Sequence, residues 1–233
     1  MSYFITLYVV LLMFRLLFTV AKGIGLCLSI LAICFSTGSI VFMVSHNILA
    51  SAIVIQSLFL ILSIIFAKYV LKQNMVFLGF QQTKLTLPIV ALTTSILISS
   101  IISLTAVHVV KVKGPYSPLP HTLMFNIIGV LMLMIIAPIC EETLFRGLLL
   151  GYLLENNVSS WTAIATSSTL FALIHLLPFH QAPLNLKASI SLTAFLLGTI
   201  AGYLRRKTNS IIPAITTHMG FNLGGYVASI LAS

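Results

Sequence analysis

Long apolar runs, most of them close to the length of a membrane span, occupy most of this 233-residue chain. A helix needs about 20 apolar residues to cross the hydrocarbon core of a bilayer, where its backbone must satisfy its own hydrogen bonds. The sequence therefore predicts an all-α fold, a polytopic transmembrane helix bundle of about eight spans. The eight runs cover residues of about 4–20, 24–44, 48–70, 86–110, 122–152, 159–178, 187–204 and 210–231.

Charged residues make up only 6% of the chain, against about 25% in soluble domains. The formal net charge is +9. Such a balance can indicate a nucleic-acid binder, but here the basic residues are scattered in short loops, the pattern that orients a protein in a membrane. We expect a multi-pass protein of the cell membrane whose partner is the lipid bilayer and not a nucleic acid; nothing in the sequence indicates an oligomeric state.

Three cysteines, Cys27, Cys34 and Cys140, form neither an even framework nor a CxxC motif. We expect them to be free and buried. Cys140 precedes Glu141 and is a candidate nucleophile, but a thiolate at bilayer depth needs a fixed cationic partner. This use of Cys140 is therefore disfavoured.

Two of the three acidic residues, Glu141 and Glu142, are adjacent and follow an apolar run. A carboxylate at bilayer depth costs at least ~2.5 kcal/mol, so such residues usually serve a function. Glu142 and Arg146 are four apart and share a helix face, whereas Glu141 points away from Arg146. We expect Glu142 and Arg146 to form a structural ion pair and Glu141 to face a cavity. The alternative is one buried charge cluster that only fixes helix packing.

Two of the six histidines, His175 and His218, lie within apolar runs. Phe171 precedes His175 by one helical turn and can support its imidazole, and Asn222 follows His218 by one turn on the same face. Small residues near His218 allow close approach of a neighbouring helix; they are Gly220, Gly224 and Gly225. The other histidines are expected at wetted span ends or in a loop: His46, His108, His121 and His180.

A carboxylate, two imidazoles and an amide in one protected cavity can activate a water and stabilise an oxyanion. The residues concerned are Glu141, His175, His218 and Asn222. The chain has no HExxH or G-x-S-x-G motif, which disfavours zincin or serine chemistry of the standard kind. Two histidines with a carboxylate can also hold a metal, so metal-assisted hydrolysis stays open.

The ordered motifs E-E-x-x-x-R, F-x-x-x-H and H-x-x-x-N resemble those of the CAAX prenyl endopeptidase and bacteriocin-processing family of intramembrane proteases. The resemblance covers about residues 120–225. It implies that Glu141 and His175 activate a water, and that His218 and Asn222 stabilise the oxyanion. Glu142 and Arg146 match the paired positions of the first motif. Because metal dependence in this family is disputed, the prediction is no cofactor, with zinc as the alternative.

The predicted organisation is a group of amino-terminal transmembrane helices without a motif, residues 1–115, followed by a catalytic core, residues 116–233. The predicted function is that of an intramembrane endopeptidase acting on a membrane-associated or lipidated peptide or protein. By resemblance we expect a bacterial member with a role in peptide maturation or bacteriocin self-immunity. The alternatives are a non-catalytic scaffold or immunity protein, and a small proton-coupled transporter in which Glu141 and the histidines relay protons.

The sequence places the two intramembrane histidines at different depths along their apolar runs. His175 lies some seventeen residues into its run and His218 about eight into its own, at ~1.5 Å per residue. If both runs begin at the same membrane face, the depths agree only when the sixth run starts late or the eighth starts early.

Overall fold

The structure, a computed structural model, describes residues 2–110 and 126–231, without the side chains of 2–7 and 107–110. This part of the chain folds into seven long helices and contains no strand, which confirms the all-α prediction. A short 3₁₀ turn, Leu177–Phe179, lies between the fifth and sixth of these helices. The helices are α1 (Ser2–Ser45), α2 (Ile48–Ile65, continued by a π-helical turn at Phe66–Val70), α3 (Thr86–Val110), α4 (Ile127–Glu155), α5 (Ser160–Ile174), α6 (Leu184–Thr208) and α7 (Ile212–Leu231).

Within the described residues, six of these helices are long and apolar enough to cross a membrane, so the expected number of about eight spans is approximate. The runs 4–20 and 24–44 form the single helix α1, because the residues between them include no proline and one glycine, Gly23, costs a helix only about 1 kcal/mol. Helix α7 is long enough but less apolar, since it carries His218 and Asn222. The architecture is that of a multi-pass membrane protein.

Helix α4 lies at the centre of the bundle. Every residue from Glu142 to Leu153 is buried, and α1, α2, α5, α6 and α7 all pack against this helix. It is continuous but contains two π-helical segments, Met132–Ile136 and Thr143–Leu149. Such segments are rare and often occur at functional sites.

Helices α3 and α7 approach each other closely at two glycines of α7. A Cβ atom built on Gly220 would lie 2.6 Å from a backbone carbonyl oxygen of α3, and one built on Gly224 would lie 2.5 Å from another. Ser99 of α3 donates from Oγ to the carbonyl oxygen of Phe221 at 2.6 Å. The expected close approach is therefore confirmed at these two glycines, whereas a Cβ on Gly225 would meet nothing nearer than 3.7 Å.

Helix α7 begins inside the protein. Ser210 and Ile211, which join α6 to α7, are fully buried, and the Ile211 amide donates to the carbonyl oxygen of Gly79 at 2.8 Å. The runs begin at Ser160 and Ile212, close to where the sequence places them, so neither a late nor an early start reconciles the two depths. In the first turn of α7, Pro213 and Ala214 are buried whereas Ile212 is exposed, so the helix starts within the bundle.

We predict that Gly224→Ala destabilises the bundle while Gly225→Ala does not. The new methyl group at position 224 would overlap the α3 backbone, and overpacking of this kind typically costs about 1–3 kcal/mol. At position 225 the methyl group would make only ordinary contacts. The measurement is the melting temperature of each detergent-solubilised variant by size-exclusion chromatography after heating. Equal melting temperatures for the two variants would contradict the proposed contact.

Candidate active site

Glu141 lies between the two intramembrane histidines. Its Oε2 atom is 3.8 Å from Nε2 of His175 and 4.0 Å from Nε2 of His218. Glu141 is near the middle of α4, His175 caps the carboxyl end of α5, and His218 is in the second turn of α7. The structure thus brings together three of the four side chains that the sequence singles out for catalysis.

Glu142 faces the other way and pairs with Arg146. The Nη1 atom of Arg146 is 3.0 Å from Oε1 of Glu142, and both side chains are fully buried. The guanidinium carbon lies 4.3 Å from the centre of the Phe171 ring. Gly198 of α6 leaves room for this group, because a Cβ there would lie 2.6 Å from Nη2 of Arg146. The expected ion pair is therefore present and enclosed by α5 and α6.

Both imidazoles are held through Nδ1. His218 Nδ1 is 3.0 Å from Oε1 of Glu142, and His175 Nδ1 is 2.8 Å from the carbonyl oxygen of Phe171. A carboxylate and a carbonyl oxygen only accept hydrogen bonds, so each Nδ1 carries the proton and donates it. This assignment leaves Nε2 of both rings directed at Glu141.

Phe171 is the packing support of the site. It is completely buried, and its ring centre lies 4.3 Å from that of His175 and 5.5 Å, edge-on, from that of His218. The contact with His175 is the one expected from the sequence, whereas the contact with His218 depends on the packing of α5 against α7. Phe171 thus restrains both imidazoles.

Asn222 bonds to the backbone of α4. Its Nδ2 atom donates to the carbonyl oxygen of Leu133 at 2.7 Å. Leu133 lies in the first π-helical segment, where the Ala137 amide donates to Met132 five residues back. By the same pattern the N–H of residue 138 would donate to the carbonyl oxygen of Leu133. Residue 138 is Pro138, which has no N–H. Asn222 therefore satisfies a carbonyl group that the proline leaves unpaired, and its second N–H is available for another acceptor.

A cavity of about 500 Å³ opens between α3, α5, α6 and α7. His175, His218 and Asn222 line it, and most of the remaining lining residues are apolar. Glu141, which the sequence places on the cavity, is not among the lining residues. Its side chain is 12% exposed, and Oε2 of the carboxylate lies within 4.0 Å of both imidazoles that form the wall.

The carboxylate and the two imidazoles are wider apart than a closed zinc shell requires. Two ligands about 2.1 Å from zinc at tetrahedral angles lie roughly 3.4 Å apart. Over the residues that the structure describes, no group of three His, Cys, Asp or Glu side chains has the spacing of a metal site. The metal-free hypothesis stays a prediction, tested below.

The remaining residues that the sequence highlights are the three cysteines and four of the histidines. Cys27, Cys34 and Cys140 are free and buried, as expected. His46 and His180 are exposed. His121 and the side chain of His108 lie outside the described residues.

Sequence reasoning missed Gln56 of α2. Its Nε2 atom donates to Oε1 of Glu141 at 2.7 Å. The available signal is that Gln56 is the one amide in the apolar helix Ile48–Ile65, since polar residues inside a membrane span are rarely without a partner. No spacing rule connects it with Glu141, 85 residues later.

We predict that Glu142→Gln lowers the amount of folded protein in the membrane, whereas Glu141→Gln does not. Removing one partner of a buried ion pair costs about 3–5 kcal/mol, because the remaining charge is left without compensation. Glu141 makes no contact with Arg146, so its change leaves the pair intact. Membrane accumulation of a carboxyl-terminal fluorescent fusion gives the measurement. The reverse outcome for the two variants would exchange their assigned roles.

The double variant Glu142→Gln/Arg146→Met tests the cause. Replacing both members of a buried pair by neutral groups is often close to neutral in stability. We therefore expect accumulation to recover above that of Glu142→Gln alone. If the double variant accumulates as poorly as the single one, the unpaired arginine is not the reason for the loss.

Comparison with known families finds a match in the carboxyl-terminal part of the chain. Residues 122–224 match the family model described as type II CAAX prenyl endopeptidase Rce1-like. This range contains Glu141, His175, His218 and Asn222, but not Gln56. No curated protein and no solved structure matches the chain. The comparison confirms that this part of a multi-pass membrane protein resembles the Rce1-like CAAX prenyl endopeptidases, a family of proteases.

Proposed function

We propose that this protein is an intramembrane endopeptidase that hydrolyses a peptide bond in a membrane-associated or lipidated peptide or protein. The observation that carries the proposal is the state of Glu141 Oε2. This atom is buried, has no hydrogen-bond partner among the described residues, and faces Nε2 of His175 and of His218. Oε2 of Glu142 also lacks a hydrogen-bond partner in the described part of the chain, so the position of Glu141 Oε2 between two imidazole nitrogens is what distinguishes it.

Glu141 and His175 are suited to activate a water. In neutral His175 the proton is on Nδ1, so Nε2 is an acceptor, as is Oε2 of Glu141. Hydrogen bonds of about 2.8 Å from one water reach both atoms across their 3.8 Å separation. Two acceptors that take both hydrogens of a water turn its lone pairs away from them, which is the requirement for a general base.

His218 and Asn222 are suited to stabilise the oxyanion. His218 is held by the carboxylate of Glu142, whereas the corresponding partner of His175 is a neutral carbonyl group. To donate to an oxyanion, His218 needs a proton on Nε2 as well, and this positive charge would offset a cluster that otherwise has two carboxylates and one guanidinium. Buried charges are tolerated when they are compensated in this way. Both residues line the cavity, so Nε2–H of His218 and the second N–H of Asn222 are the donors proposed for an oxyanion there.

In the proposed reaction, one water is added across the peptide bond. The water passes a proton to the Glu141–His175 pair as its oxygen bonds to the carbonyl carbon. The negative charge moves to the carbonyl oxygen, where His218 and Asn222 donate hydrogen bonds. The carbon–nitrogen bond then breaks, and the leaving nitrogen takes the proton from the same pair. The products are a carboxylic acid and an amine.

The apolar cavity supports a membrane-associated substrate. A volume of about 500 Å³ with mainly apolar walls is in the range of sites for apolar ligands. An apolar or lipid-linked segment bound there would place its peptide bond near His175 and His218. We extend the proposal to peptide maturation or bacteriocin self-immunity in a bacterial cell membrane, on the family resemblance alone.

We predict a graded series of activities on a quenched membrane peptide in detergent micelles. Removing one oxyanion donor costs about 10²–10³ in turnover, so Asn222→Ala should keep partial activity and His218→Ala less. Glu141→Ala should be inactive, because attack then depends on unassisted water. Since His218 and Asn222 act on one oxygen, their double variant should lose less than the product of the single losses.

Rates in this series are normalised to folded protein, because Asn222→Ala also removes the bond to Leu133. Full activity of Asn222→Ala would leave that residue a helix-packing role only. A comparison of membrane peptidomes from cells with wild-type protein and with Glu141→Ala separates the alternatives. A scaffold or immunity protein keeps its function in Glu141→Ala, and cleavage products that depend on Glu141 are expected only from a protease.

We predict that the protein is active without a metal. Two histidines and one glutamate are an incomplete ligand set, which Asn222 or water would have to complete. Protein washed with a chelator should keep its turnover, with metal content measured by mass spectrometry. Stoichiometric zinc that survives washing in the wild type and is lost in His175→Ala would establish the metal-assisted alternative.

A further inference from the structure

We propose that Gln56 is a positioning residue for the Glu141 carboxylate, an inference that rests on the proposed function. Its amide Nε2 lies 2.7 Å from Oε1 of Glu141, across 85 residues of chain. A carboxylate accepts and does not donate hydrogen bonds, so the amide must present its NH₂ group to it. Gln56 lies outside the range 122–224 that matches the protease family, so the amino-terminal half of the chain contributes to the site.

No other described side chain hydrogen-bonds to Glu141. The nearest guanidinium, that of Arg146, is engaged by Glu142, and both imidazole nitrogens are beyond hydrogen-bond distance at 3.8 and 4.0 Å. The terminal torsion of a glutamate is broad, so an unrestrained carboxylate would rotate. The bond from Gln56 fixes Oε1 and thereby directs Oε2 towards His175 and His218.

The bond to Glu141 is the main restraint on the Gln56 side chain. The side chain is partly buried in the middle of α2, which is otherwise apolar around it. Its Oε1 atom, like Oε2 of Glu141, is buried and lacks a hydrogen-bond partner in the described part of the chain. An amide in this setting is held mainly by the one bond it makes. Because a catalytic group displaced by about 1 Å can lose about 10² in rate, loss of this bond should reduce turnover.

The test uses two substitutions whose side chains are nearly as long as that of glutamine. Gln56→Met keeps the size and removes the donor, and Gln56→Glu keeps the shape and, when ionised, replaces the donor by an acceptor. We expect both to lower kcat about 10²-fold with KM within twofold of the wild type, in full-length protein at equal folded amounts. The matched control is Ser63→Ala, in the same helix, where the buried hydroxyl donates only to Phe59 of its own helix. It should keep wild-type kcat.

Measuring kcat, KM and the folded amount of each variant distinguishes a positioning role of Gln56 from a purely structural role. If Gln56 only anchored α2 to α4, its loss would lower the folded amount, and the folded remainder would keep its kcat. Wild-type kcat in Gln56→Met would overturn this inference. Should Gln56→Met accumulate too poorly to assay, Gln56→Leu, which also lacks the donor, provides the same readout.

Failure of this inference is distinguishable from failure of the proposed function. Inactive Glu141→Ala together with fully active Gln56→Met refutes only the positioning role of Gln56. Full activity of Glu141→Ala refutes the proposed function and the inference with it. Reduced kcat in Gln56→Met and Gln56→Glu, with Ser63→Ala unaffected, supports both.

Discussion

The buried ion pair between Glu142 and Arg146 sets the arrangement of the helices around it. Neither side chain has access to solvent, and a single uncompensated charge in such a place is strongly unfavourable. Oε1 of Glu142 accepts from Arg146 and also from Nδ1 of His218, so the pair links α4 to α7. The guanidinium lies over Phe171, which adds α5 to the same cluster. Changing either charge therefore disturbs the contacts of three helices.

Two adjacent glutamates have opposite roles because successive residues of a helix point about 100° apart. Glu142 has its charge compensated by Arg146 and a second contact from His218. Glu141 is held at one oxygen by Gln56 and leaves the other unpaired, between two Nε2 atoms. A polar site inside a membrane protein needs both conditions: compensated charge to remain folded, and an acceptor left free to react.

Local spacing was sufficient to predict the long helices, the pairing of Glu142 with Arg146 and the contact of Phe171 with His175, because residues four apart on a helix are neighbours. Contacts between distant segments have no such rule, so Gln56 and the bond from Asn222 to Leu133 were not predicted. The π-helical segments of α4 and the buried start of α7 depend on packing by other helices. The first two runs were expected to be separate spans, but they form one helix because a lysine between small residues does not stop a helix.

Pro138 and Asn222 illustrate how a gap in one helix becomes a point of attachment for another. The proline withholds an N–H that the carbonyl group of Leu133 would otherwise accept, and the asparagine of α7 supplies it instead. One carbonyl group thereby links the two positions, although 84 residues separate them. A residue with an N–H at position 138 would donate to the carbonyl group of Leu133 itself, and Asn222 would then have only the proposed oxyanion to serve.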